Sequence, residues 1–178
     1  MRERPQPSAS VLSGNHIRKL LRGKPPLVEN MVAPELQVQE NGVELTVRAV
    51  YTWSEKGAIS LRNEERRLAD STLLSFDENG WVSLAQGSYK IVYNEIVSLP
   101  RSLIALGRPR SSLLRCGATI ASAVWDAGYS GRGESLLLVF NPHGLRLQKD
   151  ARVLQLVFLA LSKIVTEGYR GAYQRENT

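Results

Sequence analysis

One cysteine and two histidines are all that 178 residues hold of those types, and each scarcity removes a class of chemistry. A lone thiol, Cys116, permits no intrachain disulfide and no cysteine zinc cluster. In Arg-Cys-Gly-Ala, at the entrance to a strand, it is expected to be a buried structural thiol. His16 and His143 lie far apart with no partner at metal-binding spacing, so no histidine metal site is expected. No apolar run approaches the ~20 residues of a membrane-spanning helix. The opening Met1–Pro7 lacks the apolar stretch of a secretory leader. A soluble, cytoplasmic chain is the expectation. Also missing are a Gly-x-Ser-x-Gly elbow, a Walker loop and a dinucleotide glycine fingerprint.

What is there is globular in composition, 43% hydrophobic and 22% charged, at a length that suits one domain over residues 1–178. The net charge of +6 favours an anionic partner. Its distribution says more. Between Glu95 and Asp126 no carboxylate occurs, yet Arg101, Arg108, Arg110 and Arg115 do. A positive field confined to one segment suits a phosphate pocket better than a nucleic-acid face, which spreads its Lys and Arg along a helix or stripe. Solvated surface is the competing explanation. Neither nucleic acid nor a membrane is expected as partner.

The Pro- and Ser-rich residues 1–10 are expected to fray. Ser13 can cap a helix to about Arg22, with Leu12 as a staple and Ile17, Leu20 and Leu21 on one face. Gly23 and Pro25-Pro26 stop it. Val43–Ala49 alternates apolar and polar, which predicts a half-buried strand. Residues 62–70 are too polar for a core and read as an excursion or short helical turn. Further strands are predicted at Trp81–Leu84, Tyr89–Tyr93, Glu95–Leu99, Thr119–Val124, Leu136–Phe140, Leu145–Leu147 and Val153–Phe158. Breaks fall at Pro100, Gly107, Pro109, Gly128, Gly131, Gly133 and Asn141–Gly144. Short strands at this spacing, with no long helices between them, indicate a mainly β sandwich, jelly roll or barrel.

Two clusters can carry chemistry. In Arg110-Ser-Ser-Leu-Leu-Arg115-Cys-Gly117, hydroxyls, turn N–H groups and two guanidinium forks suit phosphate oxygens; a capped surface turn has the same composition. In Asp126-Ala-Gly-Tyr-Ser-Gly131, the aspartate either bonds its own backbone in a tight hairpin or stands as a free carboxylate beside an aromatic.

Taken with Ser10–Leu20, Gly42-Val-Glu-Leu45, Gly87-Ser-Tyr89, Asn94-Glu95, Leu99-Pro100 and Ala151–Phe158, these clusters stand in the motif order of a known family. The chain resembles the dUTPase and dCTP deaminase superfamily, most closely its archaeal dUTPase branch, over nearly its whole length. The resemblance implies a distorted β-barrel or jelly roll of the trimeric dUTPase type with a short N-terminal helix and active sites shared between subunits. It implies hydrolysis of dUTP to dUMP and diphosphate, with Mg²⁺ held mainly by the substrate phosphates and water. Arg110, Ser111, Ser112, Arg115 and Gln155 would hold the triphosphate. Asp126 would meet the deoxyribose 3′ hydroxyl and orient the attacking water, and Tyr129 would stack under the sugar. The hairpin backbone around residues 122–129 would read the pyrimidine edge. Tyr169 and Arg170 would contact substrate from a tail, residues 166–178, lying over the site.

Deaminases of this superfamily carry a glutamate three residues before the Asn that ends the following strand. Counting back from Asn141 gives Leu138, which cannot transfer a proton. Glu134 lies four residues away, ~13 Å along a strand, too far to substitute. Hydrolysis is therefore expected over the alternatives, a dCTP deaminase or a non-catalytic nucleotide-binding module. The chain departs from the family's pattern at Glu44, where the first motif has aspartate, and at Ala172, where a phosphate-binding lysine often stands.

Overall fold

The computed structural model describes residues 10–178. The fraying expected over residues 1–10 thus falls, Ser10 apart, outside the described residues. Extended backbone at Ser13 leads into α1 (Gly14–Leu20), although the Ser13 hydroxyl makes no capping bond. Ile17 is fully buried, and Arg18 and Lys19 in the last turn complement the helix dipole. Then follow β1 (Val28–Glu29), α2 (Pro34–Gln37), β2 (Val38–Gln39) and the long β3 (Gly42–Trp53). The polar excursion at 62–70 holds a single 3-10 turn, Asn63–Glu65, as its composition implied. The remaining strands are β4 (Ser71–Leu74), β5 (Trp81–Leu84), β6 (Gly87–Tyr93), β7 (Ile96–Ser98) and β8 (Leu103–Pro109). After α3 (Ser111–Arg115) come β9 (Ala118–Ala121), β10 (Val124–Trp125), β11 (Ser130–Gly131), β12 (Glu134–Val139), β13 (Leu145–Gln148) and β14 (Arg152–Ala160). No helix among the described residues is long and apolar enough to cross a membrane.

The protein is mainly β, as expected. Its main sheet runs β10-β8-β14-β3-β6-β12-β9, with β2 and β4 also on β3. The strand predicted over Thr119–Val124 is in fact two, β9 and β10, at opposite edges of that sheet. Only Ser122 and Ala123 separate them in the chain, so the sheet must curl until its edges nearly meet. The curl turns on β3. Its first part pairs with β14, its second with β6 and β4, and the register shifts between Val47 and Ala49. A bulge bends a strand and strengthens its twist, which lets it pass from one layer to the other. Leu45, Ile91, Leu137, Leu154, Leu156 and Phe158 fill the enclosed core.

Three expectations about burial and breaks change. Val43–Val47 is buried on both faces rather than half-buried, because the polar positions Glu44 and Thr46 find charged and hydrogen-bonding partners inside. Gly107 and Pro109 belong to strand β8, and Gly131 to β11, instead of breaks. Glycine is needed at 107 for close approach: a Cβ there would stand 2.7 Å from Ser122 Oγ and 2.9 Å from Leu154 Cδ2. Cys116 is exposed, since α3 is one surface turn whose inward residue is Leu113. Gly107→Ala is expected to destabilise by about 1–3 kcal/mol through overpacking, read as a lower urea midpoint; an unchanged midpoint would show that the curled edges have slack.

Candidate active site

Asp126 follows β10 directly, at the mouth of the turn Ala127-Gly128. Gly128 has φ +85°, a left-handed conformation that glycine adopts without steric cost. Asp126 is exposed. Among the described residues its carboxylate takes part in neither an ion pair nor a side-chain hydrogen bond, so the hairpin does not consume it as a turn acceptor. It lines a cavity of about 230 Å³ with Trp125, Tyr129, Glu134, Tyr169 and Glu176. Tyr129 is 5% exposed. Its hydroxyl donates to Glu176 Oε1 at 2.8 Å, and its ring packs T-shaped against that of Tyr169 with centroids 5.8 Å apart. Burial, then the neighbouring Glu176 carboxylate, pushes the Tyr129 phenol up. Burial likewise raises Glu176, helped by the charge of Glu134 and opposed by the Tyr129 hydrogen bond.

Glu134 stands four residues before Leu138 on β12, as expected. The separation along the strand holds, but the cavity lies at the Glu134 end of β12, while Leu138 pairs with Ser88 and Thr119 away from it. Glu134 thus joins Asp126 and Glu176 among the carboxylates lining the cavity. It is engaged there: Lys90 Nζ lies 3.4 Å away and Asn177 Nδ2 donates to it at 3.2 Å.

The cationic residues gather elsewhere. Arg110 Nε donates to Glu44 Oε1 at 2.6 Å, and Arg152 Nη1 donates to Glu44 Oε2 at 2.9 Å. Glu44, 6% exposed, is thus neutralised by two guanidinium groups. Gln155 on β14 stands opposite Glu44 on one side and Arg108 on the other. Ser111, Ser112 and Arg115 are exposed on α3. Arg170 joins neither group. It forms an exposed i,i+3 pair with Glu167 at 3.4 Å, of a kind that contributes little.

The register of β8 measures the gap between the two groups. Val124 and Trp125 pair with Leu106 and Ala105, so Asp126 lies level with Ile104. Arg110 is six residues further along, about 20 Å at ~3.3 Å per residue. Within one chain, Asp126 and Arg110 cannot hold the same phosphate.

Two features of the site had no clear signal in the sequence. One is the pairing of Glu44 with both Arg110 and Arg152, three residues widely separated in the chain; a carboxylate inside the apolar run Val43–Val47 was the sole hint. The other is a buried network under the cationic group. Glu95, fully buried, accepts from Gln37 Nε2 (2.7 Å), Thr46 N (2.9 Å) and Thr46 Oγ1 (2.6 Å). Gln37 Nε2 also donates to the Glu44 carbonyl at 2.8 Å. Burial holds the Glu95 carboxyl above the usual carboxylate range, although the Thr46 and Gln37 bonds pull it down.

Residues 11–161 match the model of a dCTP deaminase-like family. A "Probable deoxyuridine 5'-triphosphate nucleotidohydrolase" of Methanosarcina mazei is 51% identical, the match covering 95% of this chain and 99% of that protein. The protein of the same name from Archaeoglobus fulgidus is 44% identical over 94% of this chain and 98% of its own length. Among solved structures, the 2'-deoxycytidine 5'-triphosphate deaminase of Agrobacterium tumefaciens superposes with a TM-score of 0.65 at 19% identity. That match covers 85% of this chain and 48% of the other, and it establishes the likeness of fold.

A carboxyl held above its ordinary value in the folded state contributes stability at low pH that is lost as pH rises through the folded value. Glu95→Gln carries no such proton. Its urea midpoint is expected to gain on that of the wild type as pH rises from the ordinary glutamate value through the raised folded value. A gap independent of pH would mean that Glu95 titrates as it does in the unfolded chain.

Proposed function

The chain belongs to the dCTP deaminase-like family, and on that premise we propose that it hydrolyses dUTP to dUMP and diphosphate. The observation that carries this reading is Asp126, a carboxylate exposed in an aromatic-lined cavity and free of ion pairs and side-chain hydrogen bonds among the described residues. Such a group can accept a proton from water while that water attacks the α-phosphorus in line. The bond from the α-phosphorus to its bridging oxygen breaks, and diphosphate leaves. Asp126 also meets the 3′ hydroxyl, Tyr129 packs under the sugar, and the hairpin backbone around residues 122–129 reads the base. The names borne by relatives at 44–51% identity support the same substrate.

Arg110, Ser111, Ser112, Arg115 and Gln155 hold the triphosphate in this reading, with Glu44 fixing Arg110. Their distance from Asp126 in one chain supports a site completed by another copy, as in a trimer with shared active sites. The described residues contain no group of three or more His, Cys, Asp or Glu suited to a metal, and two arginines already neutralise Glu44, so a cage of protein ligands does not fit. Mg²⁺ carried by the phosphates and water fits the usual manner of that ion, and when bound it neutralises charge on the leaving diphosphate. No residue of the chain is assigned to it.

Glu134 in the cavity favours one second reading, deamination of dCTP, though Lys90 and Asn177 engage its carboxylate. Product analysis on dUTP, dCTP, dTTP and UTP with Mg²⁺ separates the two: diphosphate from dUTP supports hydrolysis, and ammonia from dCTP supports deamination. Asp126→Asn should lower turnover by about 10²–10⁴-fold with modest loss of binding. Arg115→Ala should weaken triphosphate binding and turnover together. Mixed and refolded at equal ratio, these two variants should recover about a quarter of wild-type activity if each site joins Asp126 of one copy to Arg115 of another. No recovery would place both residues in one subunit's site.

A further inference from the structure

At one end of the small sheet β1-β7-β11, the segments after α1, after β7 and before β11 converge around a cavity of about 540 Å³. That volume lies within the ~300–1,000 Å³ usual for small-molecule sites. Leu27 and Leu99, both buried, join Leu20, Pro25 and Pro100 as apolar walls. Tyr129 is a wall common to this cavity and to the one that Asp126 lines, so whatever fills it lies one side chain from the proposed reaction.

The polar groups around it divide unevenly. Its carbonyl acceptors are spent: the Leu27 carbonyl accepts from Ser98 N, the Leu99 carbonyl from Gly128 N, the Pro100 carbonyl from Leu103 N and the Tyr129 carbonyl from Leu99 N. The Leu20 carbonyl, at the end of α1, accepts from both Gly23 N and Leu27 N. Gln174 takes the Gly128 carbonyl through Nε2 and Ser130 N through Oε1. Donors remain. Lys24 and Arg101 are exposed, line the cavity and form no ion pair among the described residues. Arg101 Nη1 donates to the Thr166 carbonyl at 2.7 Å, which leaves its other N–H groups for a ligand. The Ser98 and Ser130 hydroxyls lie 2.9 Å apart; one donates to the other, and the second O–H is left to donate outward. Among the described residues no carboxylate lines the cavity.

A positive cavity with donors to spare and apolar walls suits a ligand of the opposite make. We propose that it binds a small phosphate monoester with an apolar body. Two cations match the double charge of such a phosphate better than the single charge of a carboxylate, and a guanidinium fork can hold two of its oxygens at once. The inference stands apart from the proposed hydrolysis, since none of the residues assigned to the triphosphate lines this cavity.

Calorimetric titration of the full chain with phenyl phosphate tests it. The wild type should bind one equivalent per chain, and Lys24→Gln and Arg101→Gln should each raise Kd roughly tenfold, the worth of one hydrogen bond to a charged group. Lys24→Arg, which keeps the charge, should bind as the wild type does, and Arg115→Ala should leave Kd unchanged. Both glutamine variants alter exposed side chains, so their urea midpoints should equal that of the wild type. Benzoate, with one charge, and inorganic phosphate, with no apolar body, should bind more weakly. Absence of binding to the wild type overturns the proposal. Equal affinity for all three probes does so too, because it reduces the cavity to a diffuse positive field. Loss of binding in Arg115→Ala, with Kd unchanged in the Lys24 and Arg101 variants, also overturns it and moves the phosphate to the cationic group at α3.

Discussion

A carboxylate placed in the middle of a buried strand must be neutralised, and the neutralisation of Glu44 organises the cationic half of this molecule. Arg110 reaches it from the start of α3 and Arg152 from the start of β14. A buried charge left unpaired costs several kcal/mol, so β3, β14 and the β8–α3 corner are held in one arrangement or the charge is stranded. The same constraint sets the aim of Arg110. Its Nε is committed to Glu44, and a further N–H donates to the Arg152 carbonyl at 3.2 Å, which leaves a guanidinium group fixed in direction at the edge of the protein. Beneath it, Glu95 gathers Gln37 and Thr46 into a fully bonded polar core. Satisfied networks of this kind rigidify their surroundings, because any member that moves leaves a buried polar group without a partner.

The opposite end of β8 has a different physical character. Where the Arg110 end is charged and rigid, the Asp126 end is aromatic and built on a hairpin. Trp125, Tyr129 and Tyr169 surround a carboxylate that is not held by any cation among the described residues. The base role proposed for Asp126 gains from this, since a strong ion pair would stabilise its charged form and weaken it as a base. The two ends of one strand thus differ in kind, one cationic and fixed, the other aromatic with a free carboxylate. The proposed reading uses the first to hold charge and the second to move a proton. Antiparallel pairing keeps them apart within the chain, and under the proposed function they meet where one copy adjoins another.

Much of this could be read from the residues. Alternation and turn punctuation marked β5, β6, β7, β12, β13 and β14, and the carboxylate-free stretch with its arginines marked the segment that carries Arg110 and the exposed α3. The elements that escaped did so for stated reasons. Gly107 and Pro109 look like a break because both are poor strand formers, yet tight packing against Ser122 and Leu154 demands glycine. Thr119–Val124 looks like one strand because nothing in its composition shows that the sheet has curled to receive its two halves on opposite edges. Cys116 looks buried by residue type, but a single turn of helix has one inward side.

By itself the sequence determined the class of the fold, the sign of the net charge and which side chains could do chemistry, because periodicity, charge and side-chain chemistry are local properties. It could not determine which groups share a place. That Glu44 faces two arginines, that Glu134 rather than Leu138 borders the cavity, that Asp126 lies a strand's length from Arg110 and that Gln174 rests on Gly128 and Ser130 are all matters of register and return path. Those depend on how distant strands align. A shift of two residues along a strand leaves the pattern of side chains on each face intact and moves every partner by about 7 Å.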